Sequence, residues 1–186
     1  MKQAKSGQAA VLDAGWLSAA RRVPSPNCDE RPADAKVCLA VIHAISLPPD
    51  EFGGPGIIQL FTNCLDPEAH PYFREIHGLR VSAHFLVRRD GELIQFVPCS
   101  RRAWHAGISN WLGRENCNDF SIGIELEGCD HSPFEGAQYR TLNRLLAQLR
   151  RHYSLEAVVG HSDIAPGRKT DPGPCFDWSR VRGARR

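Results

Sequence analysis

No apolar run in the 186 residues approaches the roughly 20 that a helix needs to cross a bilayer. Near the start, Lys2 and Lys5 precede no uninterrupted apolar core, because Asp13 breaks the stretch from Ala9 to Leu17. A membrane anchor and a secretory leader are therefore not expected, and a cytoplasmic protein is. Clustered cysteine is lacking too. Cys28, Cys38, Cys64, Cys99, Cys117, Cys129 and Cys175 are odd in number and contain no Cys-x-x-Cys pair. A disulfide framework or a structural zinc knuckle needs closer spacing, so free thiols in a reducing compartment are expected. A strong charge of one sign is also absent: the formal net charge is +2. Arg180, Arg182, Arg185 and Arg186 make a basic end, but no aromatic residues interleave with basic ones in the manner of a nucleic-acid surface. That end reads as a solvated terminus, and no nucleic-acid partner is expected.

What is there suits a folded domain. Hydrophobic residues make up 42% and charged residues 24%, ordinary values for a globular chain long enough to bury one substantial core. Val37 to Ile42 is an apolar run of strand length with His43 at its end, and alternation sets His43 on the face of Val37, Leu39 and Val41. A histidine there fits either a core position or a site. Leu12 to Val23 reads as a short strand or helix, Ile57 to Leu65 as a short helix, and His70 and His77 as loop residues. Ser46 to Gly56, rich in Pro and Gly, reads as a long loop walling a pocket. Ser82–Val87 and Glu92–Val97, joined across Asp90-Gly91, form the clearest hairpin, so part of the sheet is antiparallel. Phe120 to Gly128 alternates: Ile122, Ile124 and Leu126 share one face, and Gly123, Glu125 and Glu127 the other. Two glutamates on one face border a cleft or simply face solvent. Ser132-Pro133-Phe134-Glu135 reads as a helix start, and Tyr139, Leu142, Leu146, Leu149 and Tyr153 then recur as a single stripe. The pattern predicts an α/β (α+β) fold, a central mixed sheet flanked by helices.

The densest chemistry lies in Val158 to Pro174. A short apolar strand ends in Gly160-His161, and Pro166, Gly167, Pro172, Gly173 and Pro174 forbid a following helix. The rigid loop brings Lys169 and Asp171 close to His161 in sequence. A surface turn with a capping aspartate explains this stretch as well as a site does. With His43 added, however, two imidazoles and one carboxylate make a set suited to catalytic zinc, which takes three protein ligands and keeps a fourth position open. A glutamate as base and Lys169 as oxyanion clamp would complete a metal-assisted hydrolase. Residue patterns alone do not choose between Glu125 and Glu127. Ala103-Trp104-His105-Ala106-Gly107 offers an indole that is either a buried strand-end residue or a pocket wall.

Five segments, Ile42–Pro49, Val81–Gly91, Arg102–Gly107, Asn118–Gly128 and Val159–Pro174, resemble in order the AmpD-type amidases. These are cytosolic zinc N-acetylmuramyl-L-alanine amidases of peptidoglycan recycling, with the fold shared by peptidoglycan-recognition proteins. The likeness runs from about residue 11 to 180. It implies one domain over 1–186, with a catalytic core over about 36–180 and a basic tail over 180–186. It implies one zinc on His43, His161 and Asp171, Glu125 as general base, Lys169 as oxyanion stabiliser, Trp104 beside the sugar and Arg80 toward a stem-peptide carboxylate. The expected partner is a small-molecule anhydromuropeptide, met by a monomer away from membranes. Two positions depart from the family: Ala44 stands where asparagine is usual, and Asn116 where arginine is usual. Both are expected near the substrate. A non-catalytic peptidoglycan-binding module on the same fold is the alternative, and it would be expected to lack a metal ligand or the base.

Overall fold

The computed structural model describes residues 12–184. Six strands form the central mixed sheet: β1 (Arg21–Arg22), β2 (Leu39–Ile45), β3 (Phe85–Val87), β4 (Leu93–Gln95), β5 (Ser121–Glu127) and β6 (Ala157–Gly160). Their spatial order is β6-β2-β5-β3-β4-β1. β6, β2, β5 and β3 run parallel, and β3 and β4 form the antiparallel hairpin expected across Asp90-Gly91. β6 and β2 carry nearly continuous apolar sequence because both faces of the sheet are covered there, while β5 alternates apolar residues with Gly123, Glu125 and Glu127. One face packs on α3 (Gly136–His152) through Ala40, Ile42, Ile122, Ile124, Leu126 and Val158.

The predicted stripe on α3 holds. Tyr139, Leu142, Leu146 and Leu149 are buried, and Tyr153 follows as the half-buried C-cap. Its start does not hold: Glu135, not Ser132, is the N-cap, paired with Gln138 in a capping box. Ser132 instead bridges back to Cys129, and the Pro133 carbonyl accepts from Arg89, so Ser132-Pro133 belongs to the turn before the helix. Gln138 then donates to the carbonyls of Val87 and Glu127, tying the first turn of α3 to the ends of β3 and β5.

On the opposite face, α1 (Gly56–Phe61) and α2 (Pro71–Ile76) pack over Leu86, Ile94 and Phe96, covering the hairpin half of the sheet. His70 and His77 are not plain loop residues. They cap α2 at its two ends, with Pro71 at its first position. Residues 12–23 form three two-residue strands rather than one element. Over β6, β2 and β5 the second face is roofed by loops, and this half carries the polar cluster. Among the described residues no helix is long and apolar enough to cross a membrane, and every cysteine is a free thiol.

Candidate metal centre and active site

His43 lies inside β2, not at its end, and pairs in register with Glu125 of β5. Neighbours in a parallel ladder project to the same side, so the imidazole and the carboxyl stand side by side on the loop-covered face. β6 delivers the third element. After Gly160 the chain makes one helical turn, α4 (His161–Ile164), despite the Pro/Gly-rich sequence that follows, and the prolines act only after that turn. A Cβ at Gly160 would lie 2.8 Å from the Pro172 ring, so glycine lets the returning 171–172 segment pass against the strand end. Ser162 N–H donates to the Asp171 carbonyl at 3.0 Å, which fixes that return beside His161.

The result is a tight triangle. His43 Nδ1 lies 3.0 Å from His161 Nδ1, and Asp171 Oδ2 lies 3.1 Å from each. Burial lowers the His43 pKa to about 4, so its ring is neutral at pH 7. Burial alone would raise the Asp171 carboxyl, but the adjoining His161 and His43 rings outweigh it and hold the group well below the ordinary carboxylate range. His161 Nε2 sits 3.0 Å from the Ala106 carbonyl, an atom that can only accept, so Nε2 carries a proton and, in the neutral ring, Nδ1 is the nitrogen with the lone pair. Lone pairs facing a carboxylate oxygen at 3.1 Å are stabilised by a cation in their midst. A tetrahedral zinc with bonds of about 2.0–2.1 Å sets its ligand atoms about 3.3 Å apart, close to these separations. His43, His161 and Asp171 therefore fit zinc in donor type, charge and spacing.

The two glutamates differ in their surroundings. Glu127 is saturated: Oε1 accepts from Arg88 and from Gly53 N–H, both at 2.7 Å, and Oε2 from Arg89 N–H at 3.3 Å. Glu125 is buried beside the triangle with Oε2 unpartnered. Burial, then the charge of Asp171, raises its pKa well above the ordinary carboxyl value, against the opposing charge of Lys169.

Lys169 is exposed and lines a 260 Å³ groove with Arg80, Trp104, His105, His161 and Arg168. Arg80 is exposed there, and the Trp104 indole N–H is buried without a partner. The two departing positions separate. Asn116 lines an adjoining 390 Å³ groove that shares Arg168 with the first, and it occupies the left-handed region at φ 58°, which asparagine tolerates better than arginine. Ala44 does not lie on the site face. Strand alternation turns it to the α3 side, where it packs with the core, so the expectation of a substrate-facing residue at 44 is corrected.

His105 is the contact that sequence reading missed. Its Nδ1 lies 2.9 Å from His43 Nε2. The only sequence signal was its position beside Trp104 in a run of small residues.

Comparison with known proteins agrees with this architecture. Residues 34–174 match the family described as N-acetylmuramoyl-L-alanine amidase. The 1,6-anhydro-N-acetylmuramyl-L-alanine amidase AmpD of Salmonella typhimurium is 60% identical over 172 residues, spanning 91% of this chain and 92% of that protein. Its counterpart from Escherichia coli is 59% identical over 174 residues, 92% of this chain and 95% of that one. A crystal structure of a selenomethionine AmpD derivative superposes with a TM-score of 0.90 at 59% identity, covering 92% of this chain and 97% of that chain. The E. coli amidase AmiD, solved with anhydro-N-acetylmuramic acid-L-Ala-D-γ-Glu-L-Lys, superposes with a TM-score of 0.57 at 32% identity over 81% of this chain and 59% of that one. With this fold, this residue set and a family match over most of its length, the chain belongs to the N-acetylmuramoyl-L-alanine amidase family.

Proposed function

We propose that the protein is a zinc-dependent amidase. It hydrolyses the bond between the lactyl carbonyl of (1,6-anhydro-)N-acetylmuramic acid and the L-alanine of the stem peptide, in cytosolic peptidoglycan recycling. The observation that carries this reading is the 3.0–3.1 Å triangle of His43, His161 and Asp171 with the unpartnered Glu125 oxygen beside it. His43, His161 and Asp171 would hold one zinc, which when bound supplies Lewis acidity and a water of lowered pKa. Glu125 takes a proton from the attacking water and delivers it to the departing alanine nitrogen. A carboxyl made basic by burial suits both halves of that transfer. Lys169, whose charge already reaches Glu125 and His43, stabilises the oxyanion that develops on the lactyl oxygen.

Trp104 lines the sugar side of the groove, and Arg80 meets a carboxylate of the stem peptide. Asn116, uncharged where the family has arginine, leaves the adjoining groove with a weaker hold on a second carboxylate. A lost charge-assisted contact of about 1.5–3 kcal/mol corresponds to roughly ten- to a hundredfold in binding. The substrate class rests on a related enzyme: AmiD was solved with an anhydromuramyl peptide.

The deciding experiment is zinc content together with hydrolysis of anhydromuramyl-tripeptide, followed by mass spectrometry before and after chelation. One zinc per chain and chelator-sensitive release of free peptide are expected. Peptide release that persists undiminished in zinc-free protein would overturn the mechanism.

A further inference from the structure

The two histidines of the triangle have different partners on their far nitrogens, supplied by consecutive residues. His161 Nε2 meets the Ala106 carbonyl, which accepts only, so its tautomer is fixed. His43 Nε2 meets His105 Nδ1 at 2.9 Å, and His105 Nε2 meets Ser121 Oγ at 3.1 Å. Imidazole and hydroxyl each donate or accept, so this second chain has two polarities. In one, His43 Nε2–H donates to His105 Nδ1, His105 Nε2–H donates to Ser121, and the His43 Nδ1 lone pair faces His161 and Asp171. In the other, every donor is reversed, His43 carries its proton on Nδ1, and no lone pair is left for a metal.

The His105 ring is held closely. A Cβ at Gly123 would lie 2.4 Å from its Cγ, so the imidazole lies directly against β5 where no side chain is present. Asn118 Oδ1 accepts from the backbone N–H groups of His105 and Ala106 at 3.1 and 2.8 Å. His84 stands edge-on to the ring at 5.9 Å, its own Nδ1 occupied by Gly123 N–H. The far side is electropositive: Arg31 lies 3.0 Å from His84 Nε2. In the first polarity Ser121 offers the oxygen that receives the His105 Nε2–H.

We propose that His105 is a positioning residue for His43: it accepts the Nε2–H and thereby directs the Nδ1 lone pair into the cluster with His161 and Asp171, with Ser121 as the partner of its far nitrogen. This rests on the metal reading above and deepens it. Outer partners of ligating histidines typically change metal affinity about 10- to 100-fold when removed.

The test measures zinc dissociation constants by competition with a chromophoric chelator, thermal unfolding of the zinc-free proteins, and the His43 tautomer by ¹⁵N NMR of the zinc-free ring. His105→Leu should weaken zinc binding about 10- to 100-fold and shift His43 away from the Nε2–H form. His105→Asn, whose Oδ1 stands where Nδ1 stood, should recover most of the affinity and the tautomer. Unchanged affinity in His105→Leu would overturn the proposal, as would equal losses in Leu and Asn that track thermal stability. A wild-type chain without zinc affinity would instead sink the metal reading, and the tautomer measurement would still decide the role of His105.

Discussion

Glu125 and Glu127 lie two residues apart on one face of β5, but only Glu125 has an oxygen to spare. Glu125→Gln keeps the shape and removes the proposed base. Turnover should fall by about 10²- to 10⁴-fold with zinc content unchanged, read by mass spectrometry and metal analysis. A variant retaining near-normal turnover would remove Glu125 from the mechanism. Glu127→Gln should behave in the opposite way. It strips the charge from a buried pair with Arg88 and should cost about 3–5 kcal/mol of stability in urea unfolding, because Arg88 is then left buried and uncompensated. Lys169 couples the charges. Burial and Asp171 raise the Glu125 carboxyl and Lys169 lowers it, so activity should rise with pH as Glu125 loses its proton. Lys169→Ala removes the lowering charge and should move that acid limb to higher pH, beyond any uniform loss of rate. A pH profile that only scales downward would show that Lys169 does not act on Glu125.

The elements that came legibly from sequence are those whose period is uninterrupted. The alternation of Ile122, Ile124 and Leu126 against Gly123, Glu125 and Glu127 is observed in β5, and the Tyr139–Leu149 stripe is observed on α3. Leu146 sits fully buried in that stripe, so Leu146→Ala should cost about 2–5 kcal/mol in denaturant unfolding while leaving zinc affinity intact. Boundaries were less legible, for physical reasons. Ser132-Pro133 carries good capping chemistry, yet the Cys129 bridge and the Arg89 contact hold it in the preceding turn, so the cap passes to Glu135. His161 opens a helical turn because its nearest proline is Pro166, beyond the end of α4. The site was half legible. His161, Lys169 and Asp171 fall within eleven residues of one another, whereas His43 and His105 come from distant segments that meet only because β2, β5 and the 104–107 segment stack over Gly123. Alternation set His43 on the right face, and the same rule shows why Ala44 is on the wrong one.

At the scale of the whole molecule, a row of neutral histidines has been built into the roofed half of the sheet, and this fixes how the fold responds to acid. Burial lowers His43 to about 4 and His84 to about 3, the latter with Arg31 beside it, and holds His105 well below the ordinary value. In the unfolded chain all three titrate near about 6.5. For a depressed base the stability is present above the unfolded pKa and is lost as pH falls toward the folded one, because only the unfolded chain takes up the proton. Glu125 acts in the other direction. Its raised folded pKa means that the folded state holds a proton the unfolded chain has released, which offsets one histidine. Once the unfolded histidines are charged, about a pH unit below 6.5, and while the folded Glu125 keeps its proton, the net excess is two protons on the unfolded side, a slope of about 2.7 kcal/mol per pH unit, large against marginal domain stability. Zinc-free protein should therefore lose stability steeply between about pH 6.5 and 4. Asp171, held low by the two rings, withdraws its own contribution only in more acid solution, as pH falls below its unfolded value. Urea unfolding of chelated protein across that window reads the slope directly, and a flat profile from pH 7 to 5 would show that these rings are hydrated in solution. His84→Gln, which keeps a polar group against Gly123 N–H and the Arg101 carbonyl, should reduce the slope by about one proton's worth, or 1.4 kcal/mol per pH unit. That reduction should leave the triangle of His43, His161 and Asp171 in place, because His84 meets it through His105.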